Sequence, residues 1–242
     1  MNRVEFNPID FHVHHGPSYS LGYNVSIERI NREMEEAGIK SAAIMNFPSH
    51  AEARDEANEI IVEICEEHEK FHPIFCLNKK LRNPDERFAA VKWHWIGGVP
   101  DSKSNFETLQ RDDLEDSVDS IADLDLPVIF EEELEFTESF VEKFPEIKLV
   151  IPHLGGLGGN PLSFLESFKE KENVYFDTSL GAKRNIEKFI ATVGCERILF
   201  GSDLPFGYMN SEIEKILSLD LDARNLELIL NENAERLLKT EI

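Results

Sequence analysis

Basic residues are scarce in this 242-residue chain: 25 Lys and Arg stand against 47 Asp and Glu, a formal charge of -22 at pH 7. A field of that sign repels phosphate backbones and anionic headgroups, so nucleic acid and membrane surfaces are poor partners. Cysteine is sparse too. Cys65, Cys76 and Cys195 are odd in number, far apart and form no C-x-x-C pair. That argues against a disulfide framework and for a reducing compartment. No apolar run approaches bilayer-spanning length, and Met1-Asn2-Arg3-Val4-Glu5 lacks the apolar core of a secretory signal. A cytoplasmic location is the expectation. No Pro/Gly/Ser-rich linker, low-complexity block or charged tail divides the chain, so a single domain over residues 1–242 is expected.

What the chain does have is core material: 41% hydrophobic residues, with 17 Phe. Short apolar runs at residues 8–14, 41–47, 72–77, 89–95, 127–131, 148–153, 174–177 and 198–203 read as strands. Helical patterns lie between them. The first opens at Ser26 as N-cap, buries Ile27, Ile30 and Met34, and stops at Gly38. A second is expected over roughly 52–68, with others near 114–124, 136–144, 162–169, 186–193, 212–217 and 233–238. Strand–helix alternation implies an α/β fold with a parallel sheet. About eight such units in a chain of this length fit a closed (β/α)8 TIM barrel better than an open doubly wound sheet.

Barrels of this kind build their sites at the C-terminal ends of the strands. The first strand ends in Asp10-Phe11-His12-Val13-His14, and histidines at i and i+2 project to the same side of an extended chain. Two adjacent imidazoles can grip one borderline metal ion. Later strand ends supply Lys92 and His94, Glu131, His153 before Leu154-Gly155-Gly156, Asp177, and Asp203 within Gly201-Ser202-Asp203-Leu204-Pro205. Random surface residues would not put histidine or carboxylate at so many strand ends. His153 is read as a ligand or catalytic group ahead of a capping role, and Asp203 could be no more than a helix cap. Asp177 stays open between capping and function. His15, His50, His68 and His72 are read as solvated or structural.

These segments, in this order and with the closing Asn231-Glu232-Asn233-Ala234-Glu235-Arg236-Leu237-Leu238, resemble the amidohydrolase superfamily. The resemblance is to its amidohydrolase-related branch, which contains aminocarboxymuconate semialdehyde decarboxylase and pyrone dicarboxylate lactonase. Each segment alone is a weak signal, whereas the ordered set is specific for the superfamily but not for a substrate. The resemblance implies that His12 and His14 bind a metal. It implies that Asp203 touches the metal and takes a proton from its water, and that His153 orients the nucleophile or polarises the substrate. Branch members usually carry a metal-binding histidine at the end of the fifth strand, where this chain has Glu131. Glu131 is read as a replacement ligand that hardens the site, the alternative being a lost ligand and weak metal binding. In some superfamily members a fourth-strand lysine is carboxylated and bridges two metals. In this branch it more often faces substrate, so Lys92 is assigned there and one ion is expected.

The expected function is hydrolysis of an amide, lactone or ester by a metal-activated water. Zinc is the default ion, with manganese or iron favoured if Glu131 coordinates. Lys79, Lys80, Arg82, Lys92, Lys183 and Arg184 follow or lie in candidate strands. They suggest a positive mouth for a small carboxylate-bearing substrate, contacted by Lys92, His94 and Arg82. Solvated loop lysines are an equal alternative. Non-oxidative decarboxylation by the same residues is the alternative reaction, and a non-catalytic barrel with a ligand pocket is a third reading. Exposed loops 17–24 and 100–107 could serve as lids or as homodimer contacts.

Overall fold

The computed structural model describes residues 6–54 and 56–240. Among them are nine strands: β1 Ile9–Ser18, β2 Tyr23–Val25, β3 Ser41–Asn46, β4 Phe71–Cys76, β5 Ala90–His94, β6 Val128–Glu131, β7 Leu149–Ile151, β8 Val174–Asp177 and β9 Ile198–Leu199. They form one sheet in the order β2-β1-β3-β4-β5-β6-β7-β8-β9. β2 runs antiparallel to β1, and every other neighbouring pair is parallel. Helices occupy the connections, as alternating βα units require. Among the described residues, no helix is long and apolar enough to cross a membrane.

The sheet bends round an inner cluster. Ile9 and Phe11 of β1, Ala43 and Met45 of β3, Ile129 of β6 and Leu199 of β9 pack there with Leu237 and Leu238 of helix Asn233–Leu238. A larger cluster fills the space between strands and helices. The two ends of the parallel array touch. Phe11 N–H donates to Phe200 O at 3.0 Å, Asp203 N–H to His12 O at 2.8 Å and His14 N–H to Leu204 O at 2.9 Å.

Three expectations about elements change. Residues 17–24, read as an open loop, form part of a hairpin: β1 continues to Ser18, and Gly16, Pro17 and Ser18 pair with Val25, Asn24 and Tyr23. Tyr23 and Asn24 are exposed, so this edge carries no apolar pattern to betray it. The helix expected over 52–68 is two, Pro48–Ala53 and Ala57–Glu67, because Arg54 is extended (φ -136°, ψ 118°) and its N–H closes on His50 O. The last strand ends at Leu199 rather than 203. Beyond it Phe200 N–H goes to Ile229 O, and Ser202 N–H to the Asp10 carboxylate at 2.9 Å. The first helix, Ile27–Ala37, is as read: Ser26 Oγ accepts from Arg29 N–H at 3.3 Å, and Gly38 ends it at φ 73°.

Glu132, just past β6, ties the wall together. Its Oε1 accepts from Trp93 Nε1 at 2.8 Å and from Ile96 N–H at 3.1 Å, while Oε2 is buried without a partner. Burial pushes this carboxyl up to about 7, against the hydrogen bonds that pull it down. The folded state therefore keeps this proton to about pH 7, whereas the unfolded chain releases it near the ordinary glutamate value. Stability from this group is full below the unfolded value and declines as pH rises through the folded one, by roughly 3 kcal/mol. Glu132→Gln should flatten the fall in urea-unfolding stability between pH 5 and pH 8. An unchanged slope would refute the assignment.

Candidate metal centre

A bulge in β1 sets up the site. The register with β3 shifts between Asp10 and Val13, so Ile9 and Phe11 belong to the inner cluster while His12 and His14 follow with the opposite phase. Asp10 is turned onto backbone, its Oδ1 accepting from His12 N–H at 3.2 Å and from Ser202 N–H at 2.9 Å. Burial raises the Asp10 carboxyl to about 7, against the bonds from Ser202 that lower it. It fastens the first strand to the segment that carries Asp203.

His12, His153 and Asp203, all buried, each offer a ligand atom within 4.8 Å of the other two. His12 Nε2 lies 3.4 Å from Asp203 Oδ1, and His153 Nε2 lies 3.8 Å from Oδ2. His14 Nε2 approaches Asp203 Oδ1 at 3.2 Å. Its ring stacks on Phe47 with centroids 4.8 Å apart, and burial lowers its pKa. For Asp203, burial works to raise the carboxyl, but the charges of His12, His14 and His153 and the hydrogen bond from His14 outweigh it and hold the carboxyl ionised.

Asp177 decides how the imidazoles face. Its Oδ2 is 2.7 Å from His12 Nδ1, so that nitrogen carries the hydrogen and Nε2 keeps its lone pair. Its Oδ1 accepts from Ser179 N–H at 2.6 Å and from Ser179 Oγ. Ser179 Oγ in turn lies 2.9 Å from His153 Nδ1, which also faces the Ser179 carbonyl at 3.2 Å. A carbonyl only accepts, so His153 Nδ1 carries a hydrogen and its Nε2 is free as a ligand or base. One buried carboxylate thus orients both rings. The Asp177 carboxyl sits far below its ordinary range, because the His12 charge and hydrogen bond overcome the effect of burial. Sequence reasoning left Asp177 undecided and missed Ser179; the signal available was a carboxylate followed by two hydroxyls at a strand end.

The backbone is bent to suit. Asp203 (φ 55°), His153 (φ 56°) and Leu154 (φ 55°) occupy the left-handed region, at a cost of about 1–3 kcal/mol each. Gly201 lets the walls meet, since a Cβ there would stand 3.1 Å from Asp177 Cγ and from His12 Cβ. Gly201→Ala should therefore destabilise by about 1–3 kcal/mol in urea unfolding. Wild-type stability in that variant would mean the contact is not needed.

Beside this centre lies a cavity of about 610 Å³, reached by His14, His153 and Asp203 and walled by Phe47, Trp95 and Phe206. His94 lines it, with Nε2 3.2 Å from Asp101 Oδ1 and 3.7 Å from Glu131 Oε1. The expected positive mouth does not form. Among the described residues lining the cavity Lys79 is the one Lys or Arg, and it lies 3.8 Å from Glu52. Lys183 is bonded to Ser218, and Arg82 is exposed and outside the lining. Lys92 is fully buried, its Nζ 2.5 Å from Glu131 Oε2 and 3.5 Å from His12 Nε2. Glu131, read as a replacement ligand, is thus turned to Lys92 and is not brought into the group of His12, His153 and Asp203. Burial opposes its ionisation, but the Lys92 ammonium prevails and holds it well below the usual glutamate value.

The family model described as Amidohydrolase matches residues 25–240. No curated protein matches the chain. Several solved structures share its fold. One from Pseudomonas putida, assigned as a 2-pyrone-4,6-dicarboxylic acid hydrolase, aligns at TM-score 0.78 and 16% identity over 98% of this chain and 99% of that one. A dihydroxybenzoic acid decarboxylase from Polaromonas, with manganese and 2-nitroresorcinol bound, aligns at 0.73 and 15% over 97% of each chain. An amidohydrolase from Burkholderia multivorans, with zinc bound, aligns at 0.75 and 12% over 97% of this chain and 99% of that one. With the family model matching most of its length, on a fold shared with these enzymes, this chain belongs to the amidohydrolase family.

Proposed function

We propose that this chain is a metal-dependent hydrolase that cleaves an ester, lactone or amide in a small, mainly apolar substrate. The observation that carries the reading is the convergence of His12, His153 and Asp203, with the Asp177–Ser179 network engaging the Nδ1 atoms of both histidines and leaving their Nε2 atoms turned to Asp203. We read the parallel strands as a closed (β/α)8 barrel, supported by the hydrogen bonds that join β1 to residues 200–204. On that reading the centre stands where such barrels place their chemistry.

Two imidazole nitrogens and a carboxylate suit a borderline divalent ion. Zinc is the first choice and manganese the second, in keeping with the ions bound in two structures of the same fold. His12, His153 and Asp203 would hold it, with His14 adjacent. A divalent ion there supplies a Lewis acid and lowers the pKa of water to about 7. Glu131 neutralises the Lys92 ammonium that would otherwise oppose a cation beside His12. Carboxylating Lys92 would instead set two anions against each other, which favours a single ion. Asp203, kept ionised, accepts a proton from the attacking water and returns it to the leaving group. Phe47 and Phe206 hold the substrate away from bulk water.

Decarboxylation on the same residues is the second reading, supported by the decarboxylases among the similar structures. Hydrolysis is preferred because Lys79 and Lys92 both face carboxylates, so among the described residues in or beside the cavity no unpaired Lys or Arg side chain stands ready to hold a substrate carboxylate. The test is a panel of neutral lactones, esters and amides beside hydroxybenzoates, assayed for cleavage and for carbon dioxide release with zinc or manganese. Cleavage that a chelator abolishes and the metal restores is expected. Carbon dioxide release without any cleavage would overturn hydrolysis, and chelator-resistant cleavage would overturn the metal.

A further inference from the structure

A second cluster stands on the wall of the catalytic cavity, on residues apart from His12, His153 and Asp203. His94 closes β5 and lies in register with Glu131 of β6, so the two side chains leave neighbouring parallel strands at the same level. A tight turn brings a third group back to them. Val99 N–H donates to Lys103 O at 2.8 Å, and Gly98 N–H to Trp95 O at 3.0 Å. A Cβ on Gly98 would run into Lys103 O, so only glycine lets this turn close. Asp101, at φ 59° within the turn, brings its carboxylate back to His94.

The three groups share one point. One ligand atom each of His94, Asp101 and Glu131 lies within 4.8 Å of the other two. His94 Nε2 is 3.2 Å from Asp101 Oδ1 and 3.7 Å from Glu131 Oε1. Ligands of a tetrahedral ion bound at about 2.0–2.2 Å stand about 3.4 Å apart, so these gaps bracket what one ion needs. The ring cannot serve both oxygens by itself, because one nitrogen carries at most one hydrogen and two carboxylates face it. Glu131 is held ionised, and Lys92 takes only its other oxygen, at 2.5 Å. A divalent cation among the three atoms answers both carboxylates at once. Its way in is open, since all three residues line the cavity of about 610 Å³ and Asp101 is exposed.

We infer that His94, Asp101 and Glu131 form a second metal seat, apart from the ion proposed at the catalytic centre, for a divalent ion of the zinc or manganese kind. One imidazole nitrogen with two carboxylate oxygens is a harder set than two imidazoles with one carboxylate, which admits manganese beside zinc. Water fills the remaining positions on the cavity side. The ion ties the turn that carries Asp101 to the ends of β5 and β6, and so fixes one wall of the cavity. The inference does not rest on the proposed hydrolase activity.

Zinc titrated calorimetrically into chelator-stripped protein should show two ions per chain. Asp101→Asn, a change in an exposed turn, should weaken one of them by at least about tenfold, and His94→Gln should weaken the same one. Asp203→Asn should retain it. Glu131 stays in place in these variants, because removing it would strand the buried Lys92 ammonium. Zinc-edge anomalous scattering from the wild type should place that ion against His94 Nε2, a readout that needs no variant to fold. If the wild type binds one ion, its weakening in Asp101→Asn and survival in Asp203→Asn supports this seat and removes the catalytic one. Wild-type zinc affinities in both Asp101→Asn and His94→Gln overturn this seat, as does a crystal at saturating zinc with no ion beside His94.

Discussion

Asp203→Asn is expected to lower kcat by about 10²–10⁴-fold, the usual worth of a positioned acid–base group. The choice of asparagine matters. Asp203 sits at φ 55°, a region that asparagine tolerates far better than alanine or a branched residue, so the backbone should survive the change. What disappears is the negative charge beside His12, His14 and His153, and with it the proton acceptor. The loss should persist at any concentration of added zinc or manganese, because an amide cannot take up the proton. Near-UV circular dichroism should match the wild type. Full activity recovered by excess metal would show that Asp203 only holds the ion, and the acid–base assignment would then be wrong.

Asp177→Asn should behave differently. Its oxygens receive His12 Nδ1 and, through Ser179, steady His153, but it is not in the group with Asp203. An amide at 177 that presents its NH2 to His12 cannot accept the ring hydrogen, so His12 must move or shift its proton to Nε2, where the lone pair is needed. Metal affinity should fall by about 10–100-fold, as it does when partners of metal-bound histidines are removed. Activity should return largely at saturating metal, in contrast to the variant at 203. Competition with a chromophoric chelator measures the affinity, and kcat against metal concentration measures the recovery. Unchanged affinity would mean that His12 does not depend on Asp177 for its orientation.

Much of this architecture was legible in the chain. Apolar runs of strand length separated by helical periodicity predicted eight parallel strands, and each is present, because strands covered on both faces must be almost wholly apolar. Ser26 and Gly38 marked the first helix because capping is a local matter of side-chain oxygen and backbone dihedral. The hairpin at β2 was hidden for the opposite reason: an exposed edge pair needs no apolar pattern. The break between the helices ending at Ala53 and beginning at Ala57 was hidden too, since helix propensity alone does not interrupt there.

The site divides in the same way. Histidine and carboxylate at strand ends could be found by counting, because parallel α/β architecture sends those ends to one face. Which of them meet could not. The pairing of Glu131 with Lys92 depends on two neighbouring strands in register, His94 opposite Glu131, and nothing local announces it. Asp177 reaches His12 across 165 positions of sequence, closing on it only because the last strands return beside the first. The amino-acid order by itself determined the periodicity, the caps and the residue types at each strand end, all of which are set by neighbours a few positions away. The tertiary structure alone decided which imidazole nitrogens face inward and which charges cancel, since those depend on contacts between distant segments at hydrogen-bond range.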